Sequence, residues 1–372
     1  MDNNYTPYNY GADSPEPAEN PAADRGTQVF LYRKKLKSCC NNASGMALLW
    51  LALNIAVSMV LAIAASIVLS TKVMVANPDL DAAETTALAL EEYTAFAATP
   101  MFLAVTSLIV VLLAGIGAFA FGNSVAKNKI GGGYFLKSRL SAKYVVLGGF
   151  ALLGVQMLSL LVQTLVMNLT GYTGYDESLT STLSFGDDLL TNVIIAVYVI
   201  IAAPILEELM YRGAAMKLLS PVNKTFALVA TSLLFGLMHT NFNQIFNGIL
   251  VGPVFGYIAL KSGSIKPSII LHMVCNIHGL LIDVLGQKLG DTGMTVYCLI
   301  VMVIGLVGGY FLVKSLGAPS DQDGYPYTPE IVLEGEEKKG LTWKLLLTSP
   351  TFWIFAVICL LFALTGITPL DS

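Results

Sequence analysis

Charge is what this sequence has least of. Only 12% of its residues are Asp, Glu, Lys or Arg and 55% are hydrophobic, against roughly 25% charged in an ordinary globular domain. That shortage excludes a soluble globular protein, and nothing in the chain suggests a nucleic-acid partner. The apolar residues come in continuous runs without two-residue alternation, which excludes an outer-membrane barrel. The chain also lacks a disulfide framework. Of its five cysteines, Cys275, Cys298 and Cys359 fall inside apolar runs. Cys39 and Cys40, beside a basic run, read as reduced thiols, with palmitoylation as the alternative. A long polar stretch precedes the first apolar run, so no cleavable signal peptide is expected. No internal repeat of the kind that marks many transporters is visible. Histidine is scarce: there are three, His239, His272 and His278, all in one stretch.

What the chain does have is a series of runs that reach the ~20 apolar residues needed to cross ~30 Å of hydrocarbon. The fold class expected is all-α, a polytopic transmembrane bundle of about nine spans. Residues 1–44, rich in Asn, Pro, Tyr and Ala, read as a disordered cytoplasmic tail ending in the basic anchor Arg33-Lys34-Lys35-Leu36-Lys37. Residues 45–188 hold three spans, near 46–69, 101–121 and 144–169. They are joined by an acidic loop with Asp79, Asp81, Glu84, Glu91 and Glu92 and a basic loop with Lys127, Lys129, Lys137, Arg139 and Lys143. A core follows at 189–285. Its spans start near Leu189, cover 226–239 and 244–260, and end with 267–285. Residues 286–372 add spans near 294–316 and 345–367 around a polar cytoplasmic loop at 317–344.

Basic residues test this map. With the N-terminus in the cytoplasm, only Lys72 and Lys288 of the 21 basic residues fall on outer loops. An integral, multi-pass protein of a bacterial plasma membrane, N-terminus inside, is the expectation.

Three polar clusters interrupt the core: Glu207 to Arg212 (EELMYR), Phe235 to His239 (FGLMH) and His272 to Asn276 (HMVCN). Ionisable groups at membrane depth are costly and mark function by default. Successive helical residues point about 100° apart, so Glu207 and Glu208 cannot serve one point alike. Glu208 and Arg212, at i and i+4, share a face and pair. Glu207 is then left for acid–base work, which desolvation of an unpaired carboxylate favours. Phe235 shares a face with His239, and His272 with Asn276. His278 lies on another face and reads as a packing residue. Gly248, Gly252 and Gly256 in the sixth span form a ridge for close helix packing. Pro204 predicts a kink just before the glutamates.

Two chemistries fit these groups. Carboxylate and imidazole suit zinc, with Glu207, His239 and His272 as ligands and water in the open position, although the pattern is not HExxH. Without metal, Glu207 and His239 would activate a water while His272 and Asn276 donate to the oxyanion at a peptide carbonyl.

The clusters resemble the three motifs of the CPBP family of CAAX proteases and bacteriocin-processing (Abi) intramembrane proteases: EExxxR, FxxxH and HxxxN/D, each on its own helix. All three are present in order, over roughly Leu189 to Leu285. The resemblance implies an endopeptidase cutting within or beside the membrane, acting on a peptide with a hydrophobic or lipidated segment. Eukaryotic relatives remove the last three residues after a prenylated cysteine. It also implies Glu207 as the base, Glu208 and Arg212 as its support, and His239, His272 and Asn276 as further catalytic groups, with zinc as an open alternative. A proton-coupled transporter and a non-catalytic immunity or scaffold protein of the same fold are the competing readings.

Upright helices leave one conflict. At 1.5 Å per residue from the nearest lysine, Glu207 lies about 15 Å deep, His239 about 22 Å and His272 about 9 Å. If tilting closes that gap, a polar cavity is expected between the fourth, fifth and seventh spans, open to the cytoplasm.

Overall fold

In the computed structural model, the described residues are 25–126, 133–173, 185–220, 223–320, 322–324 and 341–369. The tail before residue 25 lies outside them, as do parts of the polar loops, at 127–132, 174–184 and 325–340. Helix follows the apolar runs. The elements are α1 (Arg25–Ala76), α2 (Ala82–Ala97), α3 (Pro100–Val125), α4 (Ala142–Thr170), α5 (Leu189–Leu219), α6 (Lys224–Leu237), α7 (Phe242–Ser262), α8 (Lys266–Gly286), α9 (Lys288–Leu316), α10 (Leu341–Leu347) and α11 (Pro350–Thr365). Seven of them are long and apolar enough to cross a membrane, and two shorter apolar helices, α6 and α11, stand at the fifth and ninth expected spans. The protein is a multi-pass helical membrane bundle. Near the start of α9 the chain turns at Gly290, whose φ of 63° suits glycine.

Two stretches expected as irregular are helical. Residues 25–44 form the start of α1, because Tyr32, Leu36, Cys40 and Ala43 make a buried stripe at helical spacing beneath the lysines. α10 and α11 flank this stripe: Ser349 donates to Asn41 Oδ1 at 2.5 Å, and Thr351 donates to the Asn41 carbonyl at 3.1 Å. The first acidic loop contains α2, started by a capping box in which Asp81 accepts from the N–H groups of Ala83 and Glu84 while Glu84 accepts from that of Asp81.

Glycine sets two close crossings. The backbones of α4 and α9 touch at Gly154 and Gly305, where a side chain on either would collide with the other. The Gly248, Gly252 and Gly256 ridge of α7 receives α6 at Gly236, Ser232 and Leu228 respectively. This register places Lys224 level with Leu260. The α6 arm therefore rises only from Lys224 to the turn at Thr240, about 24 Å at 1.5 Å per residue. That is short of the ~30 Å hydrocarbon thickness, whereas its partner α7 is long enough to cross. Non-helical backbone at that depth is tolerated only where protein buries it or it lines a cavity.

The depth conflict closes in the same region. The turn between α7 and α8 is buried, with Ser264 and Ile265 fully covered. Tyr134 accepts from the Ile265 N–H at 3.0 Å, and Leu260 accepts from the Gly324 N–H at 2.7 Å. α8 thus starts beneath a lid of other chain, which brings His272 down to the glutamates.

Candidate active site

α5 is not a uniform helix. Two π-helical segments, Val197–Ala202 and Leu209–Ala215, bracket the short α-helical piece Ala203–Glu208 that carries both glutamates. Such bulges recur at functional sites. The first has a cause in the sequence. Pro204 has no N–H to give the carbonyls of the preceding turn, and Asn276 Nδ2 instead donates to the Val199 carbonyl at 2.8 Å.

Glu208 and Arg212 pair as the spacing predicts, Nη1 to Oε1 at 2.8 Å, with both side chains fully buried. Arg212 Nη2 also donates to the Gly252 carbonyl at 3.1 Å. Its guanidinium lies between two rings, 4.3 Å from the centre of Phe235 and 5.1 Å from that of Phe255. An arginine so enclosed is held by charge, hydrogen bond and cation–π attraction together.

His272 sits between the two glutamates. Its Nδ1 is 3.1 Å from Glu208 Oε1 and its Nε2 is 3.6 Å from Glu207 Oε2. Glu207 and Glu208 do serve different points, the two nitrogens of one imidazole. Phe255 stacks on that imidazole at 4.7 Å, and the Phe235 edge meets it at 5.6 Å. His239 packs at 5.1 Å from the same Phe235. Its Nδ1 lies 3.0 Å from the Phe235 carbonyl. A carbonyl only accepts, so Nδ1 carries the proton and Nε2 is left as an acceptor.

A cavity of about 440 Å³ opens beside these groups, lined by Glu207, His239, Thr240 and Tyr198 on one side and by residues of α1 and α3 on the other. It differs in place from the expected cavity. The first and second spans wall it, and it runs toward the α3 N-terminus, where Phe102 and Leu103 line it, rather than toward the lysine-rich end. The reason is the lid over the α7–α8 turn, which fills the space on that end.

Of the six residues singled out in the sequence, the structure joins Glu207, Glu208, Arg212 and His272 in one connected cluster, and His239 joins through Phe235 and the shared cavity. Asn276 is placed apart. Its amide is engaged with Val199, and it is not among the residues that line the cavity. His278 bonds Gln156 and Tyr297, each at 2.8 Å, in a separate polar contact between α8, α4 and α9. Among the described residues, no group of three or more His, Cys, Asp or Glu is placed to hold a metal ion. Glu207, His239 and His272 are accordingly not grouped as ready-made ligands in this structure. Phe255 and Thr240 were not legible as site residues. Phe255 looks like any apolar residue of a span, whereas Thr240 directly follows His239 at the end of a run.

Residues 189–278 match the family model "Type II CAAX prenyl endopeptidase Rce1-like". The matched segment holds all three clusters, in accord with the resemblance that its motifs carry. No curated protein and no solved structure matches the chain.

Proposed function

We propose that the protein is an intramembrane endopeptidase that hydrolyses a peptide bond of a membrane-anchored or lipidated peptide, with Glu207 as general base. One observation carries this reading. Glu208 is neutralised by Arg212 and tied to His272, so of the two glutamates only Glu207 faces the cavity. An acid–base group needs that access to water and substrate.

The steps use the chain's own groups. Water in the cavity sits between Glu207 and the acceptor Nε2 of His239. Glu207 takes a proton as the water oxygen bonds to the scissile carbon, and the carbonyl π pair moves to its oxygen. When that pair returns, the carbon–nitrogen bond breaks, and Glu207 passes its proton to the departing nitrogen. His272 holds the Glu207 carboxylate in place, backed by Glu208 and Arg212. Asn276 supports the first π-helical segment of α5, just ahead of the glutamates.

The test compares wild type, Glu207→Gln and His239→Ala, reconstituted in phosphatidylcholine–phosphatidylglycerol vesicles. Two quenched reporters serve: one with S-farnesylcysteine followed by three residues, and one with a single membrane span. Both substitutions are expected to lower cleavage by about a hundredfold or more with the melting temperature unchanged. Cleavage that survives Glu207→Gln, or proton flux with no cleavage of either reporter, overturns the reading.

A further inference from the structure

The Rce1-like segment ends at residue 278 and begins at 189, yet much of the cavity wall belongs to α1 and α3, outside it. That wall is not apolar throughout. Asn54 and Ser58 of α1 and Ser107 of α3 line it, and their side chains make no hydrogen bond to any described residue. Polar side chains within membrane spans ordinarily bond a neighbouring helix. These three instead lie along the cavity that Glu207 also lines.

A second observation comes from the opposite side. Thr240, at the turn of the α6–α7 hairpin, has φ of 54°, and every other described residue with a left-handed backbone is glycine. A β-branched residue is rare in that region, and glycine would hold the same helix-ending turn without strain. The threonine side chain lines the cavity beside His239, and its hydroxyl has no partner among the described residues. Strain kept at such a place points to what the side chain does there.

We propose that Asn54, Ser58, Ser107 and Thr240 form a subsite that hydrogen-bonds the backbone of the peptide, drawn out as an extended strand past Glu207. Spacing supports it. Asn54 and Ser58 are one helical turn apart, about 6 Å along the axis, while alternate residues of a strand, which face the same side, repeat about every 6.6 Å. An unwound peptide in a water-poor cavity needs partners for its N–H and C=O groups, and Asn, Ser and Thr offer both donors and acceptors. Thr240, next to His239, is placed for the carbonyl nearest the cut, whereas Asn276 and His272 are not among the residues that line the cavity. The subsite rests on the proteolytic reading and adds that recognition is of backbone, on helices outside the Rce1-like segment.

The experiment uses the full chain in the same vesicles, with the reporter that wild type cleaves and versions of it carrying an ester in place of one backbone amide at a time. Asn54→Leu and Thr240→Gly are each expected to lower kcat/KM by about tenfold, and Thr240→Ser to restore most of the loss. Thr240→Gly is expected to raise the melting temperature, so its lost activity is not lost folding. At the position that Asn54 contacts, the ester lowers wild-type kcat/KM but adds little to the loss in Asn54→Leu. Activity within twofold of wild type in both variants, or ester and side-chain losses that multiply at every position, overturns the subsite while leaving the protease in place. Cleavage insensitive to Glu207→Gln, or none by wild type, overturns both.

Discussion

At the scale of single residues, the cluster around Phe235 explains why its members depend on one another. One ring touches Arg212, His239 and His272, and the arginine links a carboxylate to the Gly252 carbonyl. Removing one partner of a buried pair strands the other charge. Arg212→Leu is accordingly expected to destabilise the protein by about 3 kcal/mol or more, read by thermal unfolding in detergent. Arg212→Lys keeps the charge but not the planar group between the rings, and is expected to fall between wild type and Arg212→Leu in melting temperature. The glutamates, His239 and His272 were legible in the sequence because ionisable residues are so rare that each one stands out. What each does was less legible. The oxyanion role expected for Asn276 assumed a free amide, and its partner is a backbone carbonyl in the turn ahead of Pro204, which the spacing of letters does not reveal.

At the scale of elements, that same contact makes a prediction about α5. Asn276→Ala leaves the Val199 carbonyl without its donor, at a cost of about 1–3 kcal/mol. In a Pro204→Ala background the helix regains an N–H for this turn, and the cost of Asn276→Ala is expected to shrink. A double-mutant cycle on melting temperature measures the coupling; equal costs in both backgrounds would remove the proline from the explanation. Helix positions followed apolar runs closely enough that the spans were readable one by one. The first turns of α1 were not, since their stripe of Tyr32, Leu36, Cys40 and Ala43 is buried in a core shared with residues far along the chain, Leu346, Phe352 and Cys359 among them. Nor were the π segments, because a helix's apolar pattern does not distinguish a wider turn from a regular one.

At the scale of the whole molecule, Arg139, Lys261 and Lys266 stand where α3 passes to α4 and α7 to α8, connections that meet at the Arg139 N–H and Ser262 carbonyl, whereas α2 with its acidic residues joins the opposite ends of α1 and α3. We propose that the lysine-rich end faces the cytoplasm. In a chain otherwise without cysteine, Glu84→Cys is expected to react with an impermeant thiol reagent on intact cells, and Ser320→Cys only after the membrane is opened. The reverse pattern would invert the protein. The two-residue pairing of Tyr172–Thr173 with Thr368–Pro369 places the end of α4 and the last described residues on the same side, as this orientation requires.

The short reach of α6 has a consequence for the surrounding lipid. An arm about 24 Å tall in hydrocarbon about 30 Å thick leaves roughly 6 Å unmatched beside α6. Acyl tails there must shorten or tilt, and the bilayer dimples over the hairpin tip. Turnover is therefore expected to be fastest in vesicles of short-chain lipid and to decline as the acyl chains lengthen, making fatty-acid composition a control on when this protein works.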